Sequence, residues 1–243
     1  MPVQEGAFEV DLPSRSPPRP LTEFRGSLSQ RVYASLREAI LTMALHPGDS
    51  LRKPEICKTL GVSRSPVGEA VARLELEHLV HVVPQAGTYV ARFSLNEIRE
   101  GAFLREALEL AAVERVAQSV TDEQLVLLRR NLRLQAALIE DHDIAGFHQS
   151  DAGMHELILG FTGFRRLPML ADASWVHVNR ARQLILPQPG RVAATLAEHQ
   201  AIAAAIEARD PAAAREATRL HLGKLIGILE PLAQKRPDLF DPE

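Results

Sequence analysis

Nine histidines in 243 residues acquire meaning from their spacing. Asp151 and His155 stand four residues apart, which puts a carboxylate and an imidazole on one face of a helix. His199 and His221 stand eleven residues before and eleven after Asp210. An antiparallel hairpin folded at Asp210-Pro211 would bring both rings to one height. Three imidazoles and one carboxylate from three helices form a donor set for Zn²⁺, Ni²⁺ or Mn²⁺, with one or two positions left for water or a ligand. Hydrogen-bonded core histidines would show the same spacing, and the residues alone leave both readings open. Asp143 and His148 are five residues apart, a poor spacing for one face; His148 is expected outside the set, exposed or behind it. His46, His78, His81, His142 and His177 are expected on the surface, in loops or on a strand.

A second group of residues lies near the N-terminus. Val32, Leu36, Ile40 and Leu41 recur at helical spacing before Pro47-Gly48; Pro54 to Leu60 makes a second short helix; Gly61 follows, and Ser63-Arg64-Ser65-Pro66 opens a third, with Ser63 at the N-cap. The pattern then alternates around Pro84-Gln85-Ala86-Gly87, the signature of a two-stranded hairpin. Helix, short turn, helix and wing form a unit that reads double-stranded DNA, the third helix offering its first residues to base edges and basic side chains holding phosphates. Arg52, Lys53, Ser63, Arg64, Ser65, Gln85 and Gly87 are the candidate DNA contacts.

Composition fits these two groups. Apolar residues are 46% and charged residues 24%, a globular balance. The lone Cys57 excludes an internal disulfide framework and any multi-thiolate metal site. No apolar run is long enough for a membrane span and the N-terminus is Pro- and charge-rich, so a cytoplasmic protein without membrane partners is expected. The formal net charge is -3, yet residues 25–92 hold nine basic against six acidic side chains. Positive charge is concentrated where DNA is expected.

The remaining elements must position the metal-type residues. Ser94 with Glu97 and Thr121 with Gln124 have the capping-box form, a third helix begins near Asp143, and Asp210 caps a helix that starts with Pro211. The expected fold is mostly α: a winged helix-turn-helix of three helices plus a β-hairpin, then an antiparallel all-α bundle of about six helices. The expected boundaries are a flexible arm at 1–26, the winged domain at 27–93, the helical effector-binding and dimerisation domain at 94–232, and a tail at 233–243.

The run Leu60-Gly61-Val62-Ser63-Arg64-Ser65-Pro66-Val67, then Arg73-Leu74-Glu75 and Gly87-Thr88-Tyr89-Val90, resembles the GntR family of bacterial transcription regulators. Asp151-Ala-Gly-Met-His155 with Gly163 and Leu167, together with Glu198-His199 and His221-Leu222, is similar to the helical ligand domain of its FadR-type members. The resemblance implies a homodimer on operator DNA, with Asp151, His155, His199 and His221 holding a divalent cation at the floor of a pocket for a small organic acid. Repression relieved by that acid is the expected sense of regulation. Arg105, Arg180 and Arg182 lie on expected helices, where a buried arginine needs a carboxylate that an effector could supply, and Arg105, on the first helix of the domain, is the best single effector contact by resemblance; a salt bridge, for instance with Glu106 or Glu109 of a partner helix, is the competing role. Three family arginines are replaced here, by Pro54, Gly68 and Ala86, and Arg15 and Arg19 of the arm are the local basic residues that could compensate. The competing function is a metal-dependent hydrolase built on the same four residues, with a vestigial winged domain.

Overall fold

The structure is a computed structural model and describes residues 12–242. The chain divides into two compact units. One holds residues 12–95 and 236–242, the other residues 96–235.

In the first unit, α1 (Leu28–Leu41) begins with a complete capping box between Ser27 and Gln30 and buries Val32, Leu36 and Ile40. Helix α2 (Lys53–Leu60) ends at Gly61, whose φ of 66° lies in the left-handed region that only glycine adopts without strain. Helix α3 (Arg64–Leu76) then turns Val67, Ala70, Val71 and Leu74 onto α1. Strands β1 (Val80–Val83) and β2 (Gly87–Val90) pair antiparallel, with Val83 opposite Gly87 around the wing turn. This is the expected winged helix-turn-helix.

Two segments read as loose ends are tied to this unit. The arm expected at 1–26 is fastened over its described part: the His46 ring bonds the Pro13 carbonyl at 2.7 Å, Ser16 N donates to Ala44 O, and Arg15 forks onto Asp49. Arg19 pairs with Glu23 and Glu38. Both arm arginines are therefore spent on carboxylates of the same unit, against the idea that they stand in for missing DNA contacts. Residues 1–11 of the arm lie outside the described residues. At the other end, Phe93 N donates to Leu239 O and Asp241 N to Phe93 O, and the Phe93 and Phe240 rings lie 5.5 Å apart. The final stretch of the expected tail is a buried edge of the winged unit.

The second unit is a bundle of α4 (Leu95–Ser119), α5 (Asp122–Glu140), α6 (Ile144–Phe161), α7 (Leu167–Ser174), α8 (Val176–Ile185), α9 (Arg191–Glu207), α10 (Pro211–Leu222) and α11 (Lys224–Lys235). Thr121 and Gln124 close their capping box, and Asp143 and Asp210 each accept an amide N–H of their helix's first turn. Eight helices replace the expected six or so because two long helices are interrupted. Trp175 sits between α7 and α8 with φ -99° and ψ 4°, and Gly223 separates α10 from α11. Gly101 lets α4 approach that interruption: a Cβ there would stand 2.9 Å from the Ser174 carbonyl oxygen. Helix α5 packs on α6 and α9, and α9 on α10, which sets the helices carrying Asp151, His155, His199 and His221 side by side.

Candidate metal centre and nucleic-acid interface

The four metal-type residues converge. One donor atom from each of Asp151, His155, His199 and His221 lies within 4.8 Å of every other. The equal spacing about Asp210 has the geometric result expected of it: the His199 and His221 ring centroids are 4.7 Å apart. His155 Nε2 stands 3.3 Å from His221 Nε2, and His199 Nε2 3.3 Å from an Asp151 oxygen.

Each ring is aimed by its other nitrogen. His155 Nδ1 donates to Glu109 at 2.5 Å, and Glu109 also accepts Arg105 Nε at 2.6 Å. Burial opposes a charge on Glu109, but Arg105 and His155 outweigh it and hold this carboxyl well below the usual carboxylate range. His221 Nδ1 donates to Glu198 at 2.7 Å, and Glu198 is kept ionised, against burial, by His221 and Arg191. His199 Nδ1 meets Gln135 Oε1 at 2.8 Å through a longer chain: Gln135 Nε2 donates to Asn131 Oδ1 at 2.7 Å, and Asn131 Nδ2 donates to the Ser150 carbonyl at 2.9 Å. A backbone carbonyl can only accept. That fixes the orientation of both amides and requires His199 Nδ1 to carry the proton.

Burial pushes the proton affinity of all three rings down, His221 to about 4, so the imidazoles are neutral with Nε2 lone pairs facing one another. Asp151, fully buried, is approached by Arg182, yet neither of its oxygens accepts a hydrogen bond of ordinary geometry, and His199 Nε2 has no partner. Two lone pairs at 3.3 Å beside a carboxylate are mutually repulsive, and a divalent cation would satisfy them together. The donor set fits such an ion, and the Nδ1 partners are the orienting shell that metal-bound histidines use.

A cavity of about 730 Å³ opens beside this cluster, lined by His155, Arg105, Arg182, Asn179 and Trp175 among others. Arg105 pairs with Glu109 on its own helix and also lines this cavity. Arg180 is fully buried and is not in that wall; Arg182 is. His148 is half-buried outside the cluster, bonding the Asn179 carbonyl at 3.2 Å, and burial followed by Arg182 lowers it to about 3. His46 lies in a loop of the winged unit, as expected, and is buried there.

Sequence reading missed Glu109 as a partner of His155, and missed Asn131, Gln135 and Trp175; of the arginines it weighed, Arg182 lines the cavity where Arg180 does not. A signal existed for Gln135: Leu125, Leu128, Leu132 and Gln135 follow helical spacing, so a primary amide interrupts the apolar stripe of α5.

In the winged unit the candidate DNA contacts are all exposed, and Arg52, Lys53, Gln85 and Gly87 line one groove. Arg52 and Lys53 stand at the start of α2, with Arg52 paired to Glu55 at 3.2 Å. Ser63 occupies the N-cap of α3 but makes no capping bond, Arg64 follows, and Ser65 reaches Glu69. Gln85, with φ 62°, and Gly87 form the wing turn. The backbone alone positions the α3 terminus; the Ser63 hydroxyl is not engaged in capping.

A winged helix-turn-helix followed by an all-helical unit is the architecture of a DNA-binding transcription regulator. The chain belongs to the bacterial regulatory proteins of the GntR family, matched over residues 28–90, and carries an FCD domain over residues 100–224. It is 31% identical over 221 residues, 90% of this chain and 93% of the relative, to an HTH-type transcriptional regulator in an unstable DNA locus of Streptomyces ambofaciens. It is 29% identical to the HTH-type transcriptional repressor RspR of Escherichia coli K12, over 89% of this chain and 95% of that protein. Among solved structures, Escherichia coli McbR/YncC superposes with a TM-score of 0.72 at 23% identity, covering 86% of this chain and 99% of that one. A GntR regulator from Rhodococcus sp. RHA1 gives 0.74 at 24% identity, covering 85% and 99%. Membership makes the chain a transcription regulator and not an enzyme, which removes the hydrolase alternative. No helix among the described residues is long and apolar enough to cross a membrane.

Proposed function

We propose that the protein is a dimeric, cytoplasmic repressor whose operator affinity is set by a small organic acid bound at a divalent cation, Zn²⁺, Ni²⁺ or Mn²⁺. The carrying observation is the convergence of Asp151, His155, His199 and His221 with every imidazole turned inward by a partner on Nδ1. A cation there would supply a fixed positive charge and open coordination positions for an anionic ligand. The protein's own groups do the rest: Glu109, Gln135 and Glu198 hold the rings, and Arg105 and Arg182 bring positive charge to the cavity wall. Arg180, buried on α8 two positions before Arg182, adds a further positive charge to the interior of the bundle.

On DNA, Ser63, Arg64 and Ser65 meet base edges, Arg52 and Lys53 hold phosphates, and Gln85 and Gly87 place the wing. Phe103, 72% exposed on α4, supports a dimer contact there. The repressor sense draws support from the name of the Escherichia coli relative. Regulation requires the acid to bind one arrangement of the dimer more tightly than the other; equal affinity for both would shift nothing.

The test is operator selection from random duplex DNA with the metal-loaded protein, repeated with a panel of small carboxylates. An inverted-repeat site that is recovered in the absence of acid and lost with one acid is the expected result. Recovery of no preferred site, or of a site indifferent to every acid, contradicts the reading.

A further inference from the structure

The chain passes from one unit to the other twice, at 95–96 and at 235–236. The two passages are paired on either side, and each pairing lies inside one unit. In the winged unit Phe93 N donates to Leu239 O and Asp241 N donates to Phe93 O, both at 2.9 Å, which sets residues 93 and 240 side by side in a parallel bridge. The side chains are sealed there: Phe93 is 1% exposed, Leu239 3% and Phe240 4%. In the bundle the same two segments are joined by Arg99 of α4 and Glu230 of α11, 2.9 Å apart. Each passage also leads into the metal-type cluster. Helix α4 carries Glu109, the partner of His155 Nδ1, and α11 follows His221 with only Leu222 and Gly223 between.

We propose that residues 236–242 are a transmission strap, the second strand of a two-stranded linkage through which occupancy of the cluster by a cation is felt in the winged unit. This rests on reading the cluster as a cation site and adds the route out of it. Two units joined by one short passage move and open independently. Two passages bonded to each other on both sides act as one linkage and resist that. Chain ends fray unless they are tied down, and this one brings two apolar side chains and two backbone bonds to the residue that stands just before α4. A cation that fixes His221 steadies the end of α10 from which α11 departs, and the strap carries that constraint to Phe93 through continuous bonded and packed groups.

The test uses Zn²⁺ alone as the probe and backbone amide hydrogen exchange of the full chain as the readout. Free Zn²⁺ at about a hundred times Kd should slow the most protected bundle amides about a hundredfold, because the ion binds only the folded site. In the wild type the amides of Leu36 and Ile40, buried on α1 of the winged unit, should slow at least about tenfold as well. Insertion of Gly-Ser-Gly-Ser between Lys235, which is exposed, and Arg236 leaves Leu239 and Phe240 able to dock on Phe93 and slackens only the strap. The bundle effect should then stay at about a hundredfold while the α1 effect falls below about twofold. A chain ending at Lys235 should behave in the same way. Slowing of the α1 amides in both variants as in the wild type overturns the inference, as does an α1 indifferent to Zn²⁺ in the wild type. Should neither variant fold, the wild-type amides of Phe93 and Asp241 decide, since the strap requires Zn²⁺ to slow both at least about tenfold. Competition with a chelator on the same samples separates the two levels: no Zn²⁺ binding at all would overturn the cation-site reading, and the strap's role with it.

Discussion

His199 and His221 belong to successive helices joined at Asp210, and their ring centroids are 4.7 Å apart in the interior of the bundle. Neither ring has an acid partner on Nε2 of the kind a structural histidine pair would use, apart from Asp151 at 3.3 Å from His199. Removing either ring leaves three donors for the ion. His199→Ala and His221→Ala should each weaken Zn²⁺ binding by more than the ~10–100-fold typical of losing an orienting partner. Competition with a fluorescent chelator measures this. Because the ion binds the folded chain, free metal at about a hundred times Kd should add about 2.7 kcal/mol of stability, lost on adding EDTA.

Gln135 sets the orientation of His199 through Asn131 and the Ser150 carbonyl. Gln135→Met keeps the volume and removes the acceptor, so metal affinity should fall about 10–100-fold. Gln135→Glu restores an acceptor at the same place and should recover most of it. The ¹⁵N shifts of His199 in metal-free protein should report the Nδ1–H tautomer in the wild type and its loss in Gln135→Met; an unchanged tautomer would sink the relay.

His148 carries a folded-state proton affinity lowered to about 3, by burial first and then by Arg182. Between the ordinary histidine value of about 6.5 and that lowered value the unfolded chain binds a proton the folded chain refuses. Stability therefore falls as pH drops from about 6.5, by up to about 1.4 kcal/mol per pH unit for this one group. Urea unfolding of His148→Gln between pH 7 and pH 4 should show a slope smaller by one proton; a slope equal to the wild type's contradicts the assignment.

Gly68 lies in the interior of α3, and a Cβ built there meets nothing within 4 Å. Gly68→Ala should raise stability by about 0.5–1 kcal/mol through helix propensity alone. Gly68→Arg restores the side chain usual in the family and should also tighten operator binding and steepen its salt dependence by about one phosphate contact. A stability gain without any change in DNA affinity would show that residue 68 does not face the duplex.

The winged unit and the four metal-type residues were legible because each rests on local rules: helical spacing, a Gly in the left-handed region after α2, and caps at Thr121, Asp143 and Asp210. What escaped depends on contacts between distant residues. Glu109 reads in the sequence only as one possible salt-bridge partner for Arg105; its bond to His155 on α6 depends on how the helices meet. Leu239 and Phe240 are two apolar residues in a polar end, and their burial requires Phe93, about 150 positions away, to be brought to them. The interruption at Trp175 has no Gly or Pro to announce it, and the residue that makes it is the one that lines the cavity.

The central claim, that ligand sensing runs through the metal cluster, is tested most directly by fluorescence anisotropy of a selected operator duplex. The titration compares metal-loaded wild type, EDTA-stripped wild type and His199→Ala, each with and without the acid found by selection. The account predicts an acid-dependent loss of operator affinity in the metal-loaded wild type and none in the other two. An equal acid response in all three would contradict it.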